Sequence, residues 1–232
     1  MSTFLTRVRI LFLLLSCTST FAQVKLPKLI SDGMVLQRDS PVRIWGWAAS
    51  NEPVALRFLD STYTTTAGAG GDWSIILPGM KAGGPYRMEI NASNAVVVND
   101  IMIGEVWLCS GQSNMELTMK TVSPIYGAEI AHSENPYIRQ FYVPQTYNFN
   151  APQKDLPAGV WKTASPETVP AFSAVAYFFG KALYDKYKVP IGLINASLGG
   201  SPAESWMSEE ALKAFPDLYQ EAQRFKDSSL IE

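Results

Sequence analysis

The sequence predicts an N-terminal antiparallel β-sandwich followed by an α/β domain with a mainly parallel sheet. Two observations carry this prediction. Between residues 24 and 98, short β-rich runs recur at regular intervals, separated by turn signals such as Ser50-Asn51-Glu52-Pro53, residues 68–72 and Ala82-Gly83-Gly84-Pro85. After Asn99-Asp100 the pattern changes to apolar strand-like runs alternating with helix-period segments.

In the first half, Val42-Arg43-Ile44-Trp45-Gly46-Trp47 and Val54-Ala55-Leu56-Arg57-Phe58 read as strands, and Tyr63-Thr64-Thr65-Thr66 is β-branched and polar. Trp73-Ser74-Ile75-Ile76-Leu77, Tyr86-Arg87-Met88-Glu89-Ile90 and Val96-Val97-Val98 continue the series. In the second half, residues 101–108 form an apolar run interrupted only by Gly104 and Glu105, which reads as a buried strand. A helix is expected around residues 127–132 and a strand over residues 138–143. A loop rich in Pro, Asn and Gln spans residues 144–170, broken by Val160-Trp161-Lys162. Ser173 is placed to cap a helix over residues 174–187, where Val175, Phe178, Phe179, Leu183 and Tyr184 fall near helical spacing. Pro190 closes that helix, and residues 191–196 read as the next buried strand. The expected organisation is therefore residues 1–22, 23–99 and 100–232.

Residues 1–22 have the order of a secretory signal peptide: Arg7 and Arg9, the apolar residues 10–15, then small and polar residues ending Thr20-Phe21-Ala22. The apolar core is far shorter than the ~20 residues of a membrane span, so export to the periplasm or the extracellular space is expected, with cleavage after Ala22. Cys17 follows Leu14-Leu15-Ser16, a loose match to a bacterial lipoprotein box in which the leucine before Ser16 fits poorly, so lipidation is the weaker alternative. Beyond the signal only Cys109 remains, so no intrachain disulfide forms, and it reads as a small buried hydrophobe. One histidine and no cysteine pair leave no ordinary zinc spacing. With 19 basic against 21 acidic residues, scattered along the chain, nothing marks a nucleic-acid surface or an anionic-membrane surface. Asn91-Ala92-Ser93 and Asn195-Ala196-Ser197 match glycosylation acceptors but carry little weight, the second lying in a predicted buried strand. The oligomeric state is not legible.

Gly111-Gln112-Ser113-Asn114-Met115 follows the strand-like run 101–108 directly. In open α/β sheets ligands bind beyond the carboxyl ends of the strands, so Ser113 stands where a nucleophile would. Taken alone, the five residues also fit a polar turn bent at Gly111. The second strand end, Ser197-Leu198-Gly199-Gly200-Ser201-Pro202, adds paired glycines that let the backbone approach a ligand, followed by a Ser-Pro helix start. Such N–H groups can stabilise the oxyanion of acyl transfer, and losing one donor costs ~10² to 10³ in rate.

The stretch from Gly104 to Glu116 (Gly104-Glu105-Val106-Trp107-Leu108-Cys109-Ser110-Gly111-Gln112-Ser113-Asn114-Met115-Glu116), together with Gly199-Gly200-Ser201-Pro202-Ala203-Glu204-Ser205-Trp206-Met207, resembles the sialate O-acetylesterase family of SGNH hydrolases. Residues 172–179 and, upstream, Asp32-Gly33-Met34-Val35-Leu36-Gln37-Arg38 and residues 82–86 are also family-like. The resemblance implies a flavodoxin-like SGNH catalytic domain behind the β-sandwich. It implies Ser113 as nucleophile, with the N–H groups of Ser113 and Gly200 in the oxyanion hole. Gln112, Asn114 and Glu204 would shape the site, and Trp206 reads as part of a packed helix start. The implied reaction is hydrolysis of an acetyl ester on a sugar through an acyl-enzyme, with no metal and no cofactor.

Two family features do not occur in this chain: a Gln-Gly-Glu motif and an Asp-x-x-His motif carrying the general base. The single histidine, His132, lies at the polar end of an expected helix and reads as a surface residue. The chain stops without completing a doubly wound sheet, so the expectation is a truncated, incomplete domain that is nearly inactive alone. Two alternatives stay open: an acetylesterase for xylan or another glycan, and an inert carbohydrate-binding fragment.

Overall fold

Strict alternation of inward and outward side chains builds the N-terminal half. The computed structural model describes residues 23–230; the expectations for the signal peptide and Cys17 lie outside them. Strands β1 (Val35–Gln37), β2 (Val42–Trp47), β3 (Pro53–Phe58), β4 (Ser61–Thr66), β5 (Asp72–Leu77) and β6 (Gly83–Asn91) lead into β7 (Ala95–Gly111). β2 and β5 form a two-stranded antiparallel sheet, and β4-β3-β6-β7 form the opposing antiparallel ladder. Ile44, Trp73, Ile75 and Leu77 from one sheet bury against the same core as Val54, Leu56, Phe58, Met88 and Ile90 from the other. This is the expected sandwich.

The second half adds α1 (Ser113–Glu116), α2 (Ser123–Ala131), β8 (Asn135–Tyr142), β9 (Trp161–Ala164), α3 (Ala174–Tyr187), β10 (Ile191–Ser197), α4 (Glu209–Leu212) and α5 (Pro216–Arg224). β10 lies between β7 and β8 and runs parallel to both, while β9 closes that side antiparallel to β8. Helix α3 covers the expected residues, and the Ser173 Oγ accepts the Ala176 N–H at 3.2 Å as its cap. Helix α2 starts four residues earlier than the 127–132 expectation.

One strand serves both halves. β7 pairs antiparallel with β6 as far as Ile103, parallel with β1 from Met102 to Gly104, and parallel with β10 from Glu105 to Gly111. The 99/100 boundary read from the sequence therefore falls inside a continuous 17-residue strand. At the changeover Asp100 takes φ +55°, a region that aspartate enters more readily than most side chains. Arg139 of β8, only 2% exposed, grips the kink: its Nη1 donates to the carbonyls of Gly33 (2.9 Å) and Asp100 (2.5 Å), its Nη2 to Asp100 Oδ1 (2.9 Å), and its Nε to Pro136 O (3.2 Å).

The strand is less buried at its end than its apolar sequence suggests. Beyond Gly104 the edge of β7 away from β10 has no strand partner among the described residues, so Trp107 is 42% and Leu108 68% exposed. Trp107 recovers part of its burial edge-on against Phe179 of α3, with ring centroids 5.0 Å apart. Cys109, facing inward, is buried, and desolvation pushes its thiol pKa up, which keeps it protonated and unreactive at neutral pH.

Removing the guanidinium at the kink leaves buried carbonyls without donors. Arg139→Met should cost about 2–4 kcal/mol in chemical denaturation, whereas Asp100→Asn, which keeps the backbone preference at a half-exposed site, should cost under ~1 kcal/mol. Equal costs for the two would mean that the Asp100 charge, and not the carbonyls, is what Arg139 holds.

Candidate active site

The parallel ladder brings the two strand ends side by side. Cys109 pairs with Asn195, Ser110 with Ala196 and Gly111 with Ser197, and the Leu198 N–H extends the ladder to Gly111 O at 3.0 Å. Gly111 then turns at φ +138°, and after Gln112 the chain makes the single turn α1, with Ser113 at its first position, exposed to solvent. The turn is closed by Glu116 N–H to Gln112 O (3.0 Å) and Leu117 N–H to Ser113 O (2.9 Å). The start of α3 braces it from below: the Ala174 N–H donates to Leu117 O at 2.8 Å, and the buried Ser173 hydroxyl points at Met115 Sδ, 3.5 Å away.

Glu116 joins the two strand ends. Its Oε2 accepts the Gly199 N–H at 2.6 Å, and its Oε1 accepts the Gln145 Nε2 at 2.6 Å. Gln145 also donates to Ser197 O at 3.2 Å, so the loop after β8 is fastened to the same point. A Cβ at Gly199 would overlap Glu116 Oε2, so a side chain there would push that carboxylate aside; the same position lies 3.6 Å from Ser113 Oγ. Gly200 follows at φ +76° with open space on its side-chain face. Among the described residues the N–H groups of Ser113 and Gly200 donate to no protein acceptor, so both are free to serve a ligand. Tyr142 lies near this carboxylate, and burial first, then the Glu116 charge, raise its hydroxyl pKa, so the phenol stays protonated.

The remaining expected residues divide. Gln112 Nε2 donates to the Ser201 carbonyl and ties the nucleophile turn to the glycine turn. The buried Ser201 hydroxyl donates to Leu198 O (2.7 Å) and accepts from Trp206 Nε1 (2.9 Å), so Trp206 anchors the second turn. Residues after Pro202 make a 3-10 turn, Ala203–Trp206, where a helix start was expected. Glu204 sits half-buried in that turn and lines a cavity, while Asn114 is exposed and its side chain bonds to no protein group among the described residues. His132 caps α2, where its Nδ1–H donates to Ala128 O at 2.8 Å; none of its hydrogen bonds reaches the Ser113 turn.

Glu116 closes the motif Gly104–Glu116, and no local signal in the sequence marks its role. The Ser-x-x-Glu spacing resembles a capping box, yet the carboxylate binds the N–H of a residue 83 positions away and not that of its own turn. Gln145, in an irregular loop, carried no signal.

A hydroxyl at the open ends of paired parallel strands, flanked by unengaged backbone donors, is an arrangement suited to attack on a carbonyl carbon. Residues 103–230 match the family model described as carbohydrate esterase, sialic acid-specific acetylesterase. The chain is 33% identical over 207 residues to the sialate O-acetylesterase of Rattus norvegicus, covering 80% of this chain and 38% of that protein. Against the enzyme of the same name from Homo sapiens it is 33% identical over 206 residues, covering 80% and 39%. A carbohydrate acetylesterase from Xanthomonas citri superposes with a TM-score of 0.78 at 38% identity, covering 84% of this chain and 47% of that one. The chain thus spans under two fifths of the length of these curated relatives. Ser113, Glu116, Gly199 and Gly200 all fall within the matched residues, and the chain belongs to the carbohydrate esterase family of sialic acid-specific acetylesterases.

Proposed function

We propose that this chain carries the nucleophile and oxyanion part of a carbohydrate O-acetylesterase. The observation that carries the reading is the Gly199–Gly200 turn held beside Ser113 through Glu116. In this reading Ser113 Oγ attacks the acetyl carbonyl carbon, and the Ser113 and Gly200 N–H groups receive the oxyanion. The C–O bond to the sugar then breaks, and the sugar oxygen leaves with a proton. Water next attacks the acetyl-serine, releasing acetate and restoring the hydroxyl. Gln112 and Trp206 hold the second turn, and Glu204 lines the adjoining space.

A serine at its ordinary pKa needs a base within hydrogen-bond reach. The single histidine, His132, bonds through Nδ1 to Ala128 O of its own helix, and no hydrogen bond ties it to the Ser113 turn, so this reading gives it no role as the base. Losing the histidine of a serine–histidine couple costs on the order of 10⁶ in turnover. Export belongs to the same proposal and rests on the order of residues 1–22.

Three outcomes follow. In the protein purified from its natural source, a fluorophosphonate probe should attach to Ser113, and Ser113→Ala should abolish both labelling and acetate release; attachment to another serine would move the active site. Residues 23–232 on their own should release acetate from an acetylated sugar at near-background rates, and turnover matching the natural protein would place the base within this chain.

Glu116→Gln in the natural protein keeps the side-chain volume but replaces a charge-assisted bond, so Ser113 labelling should slow by about tenfold. A rate that stays unchanged would show that Glu116 does not position the glycine turn. Mass spectrometry of the mature natural protein should find Gln23 at its N-terminus, and a retained Met1 would refute export by cleavage.

A further inference from the structure

A cavity of about 350 Å³ opens at the opposite end of the parallel sheet from Ser113, within the roughly 300–1,000 Å³ range of small-molecule sites. It lies where the two halves of the chain meet: residues 82–84, entering β6, line it together with Tyr137 of β8, Tyr184 and Lys188 at the end of α3, and Pro190. Ser113 follows the carboxyl end of β7, whereas Tyr137 and Pro190 stand near the amino ends of β8 and β10, which run parallel to it. The seven residues of β10, at ~3.3 Å each, separate the two places by roughly 20 Å.

Tyr137 and Tyr184 stack with ring centroids 5.7 Å apart and planes 12° from parallel. Tyr184 therefore backs Tyr137 and holds it in place, while Tyr137 keeps 41% of its surface exposed. An aromatic side chain held in this way can receive the C–H face of a sugar ring without further loss of its own freedom. Lys188 is the one charged residue lining the cavity, so the charge presented to a ligand is positive. Its ammonium lies 5.0 Å from the Tyr184 ring centroid and donates to Asp185 Oδ1 at 3.3 Å, with both ion-pair partners more than half exposed. An exposed pair of that kind is worth little, so the ammonium can turn to a ligand carboxylate at small cost. Lys188 also holds φ +54° as the C-cap of α3, a left-handed position that glycine fills most readily. A helix C-terminus favours a cation, but Lys186 already supplies one in the last turn, so the strain at Lys188 points to a role beyond the helix.

We propose that this cavity is a second glycan site, remote from Ser113, that takes a sugar residue bearing a carboxylate. The sugar ring lies against Tyr137, and its carboxylate accepts hydrogen bonds from the Lys188 ammonium in place of Asp185. No covalent step occurs there. The site holds an acidic glycan against the protein, and it goes beyond the O-acetylesterase reading of Ser113 without depending on it.

The probes are 3′-sialyllactose and lactose, which differ by one carboxylate-bearing sugar and carry no acetyl ester for Ser113 to cleave. Titrated into the natural protein by calorimetry and saturation-transfer NMR, sialyllactose should bind about tenfold or more tightly than lactose, the ratio a charge-assisted hydrogen bond supplies. The gap should narrow at high salt. Lys188→Gly removes the ammonium and relieves the left-handed strain, so it should keep the Tm yet lose about tenfold in sialyllactose affinity, with lactose unchanged. Tyr137→Ala should weaken both sugars about fivefold. Fluorophosphonate labelling of Ser113 should run at the same rate in both variants as in the unsubstituted protein. Equal affinity for the two sugars, unchanged sialyllactose binding in Lys188→Gly, or failure of sialyllactose to bind at millimolar concentration would overturn the proposal. Ser113 labelling that persists alongside any of these leaves the esterase reading standing. Absence of labelling in the natural protein, with sialyllactose binding that depends on Lys188, would sink the esterase reading and leave the glycan site.

Discussion

Every element that positions Ser113 takes its register from β7, and β7 must satisfy two sheets with opposite pairing rules. Its first half exchanges antiparallel bonds with β6, and its second half exchanges slanted parallel bonds with β1 and β10. A strand cannot change from one pattern to the other without a local irregularity, and here that irregularity is the Asp100 kink with the register shift beside Tyr86. A buried guanidinium is an expensive way to hold a backbone unless its donors are matched. Arg139 directs its donors at three carbonyls and one carboxylate oxygen from three separate segments, which offsets its desolvation and locks the sandwich to the parallel sheet.

The same economy appears at the site. α1 is a single turn, too short to be stable alone, and a four-residue helix has no internal ladder worth the name. It is rigid because its neighbours define it: α3 from below through Ala174 and Ser173, β10 from the side through Gly199, and the loop after β8 through Gln145. Two of these four contacts use backbone groups, the N–H of Ala174 and the N–H of Gly199, which cannot swing away as side chains do. Glu116 accepts two of the bonds, so one carboxylate sets both the height of the glycine turn and the position of the loop after β8.

Legibility in the sequence followed the range of the interactions. Helix α3 and strand β10 were readable to within a residue because their signals are local: a serine cap, a helical stripe, a proline stop and an unbroken apolar run. The Ser113 turn and the paired glycines were readable as strand ends for the same reason. The Arg139 clamp, the Glu116 bridge and the passage of β7 through position 99/100 were not, because each depends on residues brought together from distances of 39, 83 and more positions along the chain. The exposure of Trp107 and Leu108 was misjudged by composition alone: an apolar run says that burial is favourable, while burial itself requires a neighbour, and none of the described strands lies on that edge.

The precision of the site is inherited from the β7–β10 ladder more than from any contact at the site itself. In a sheet, side chains alternate with period two, so a slip of one residue between these strands would turn every inward residue outward. Leu193 and Ile191 are fully buried on the strand that carries the glycines, and Cys109 is buried on the strand that carries Ser113. A slip would bring those apolar groups into water at about 25 cal/mol for each Å² exposed, several kcal/mol in all. It would also carry Gly199 away from Glu116 by a full residue rise of about 3.3 Å, enough to break a 2.6 Å bond outright. The apolar core therefore enforces the register, the register sets the two turns opposite each other, and the Glu116 carboxylate has only to close the last few tenths of an ångström between them.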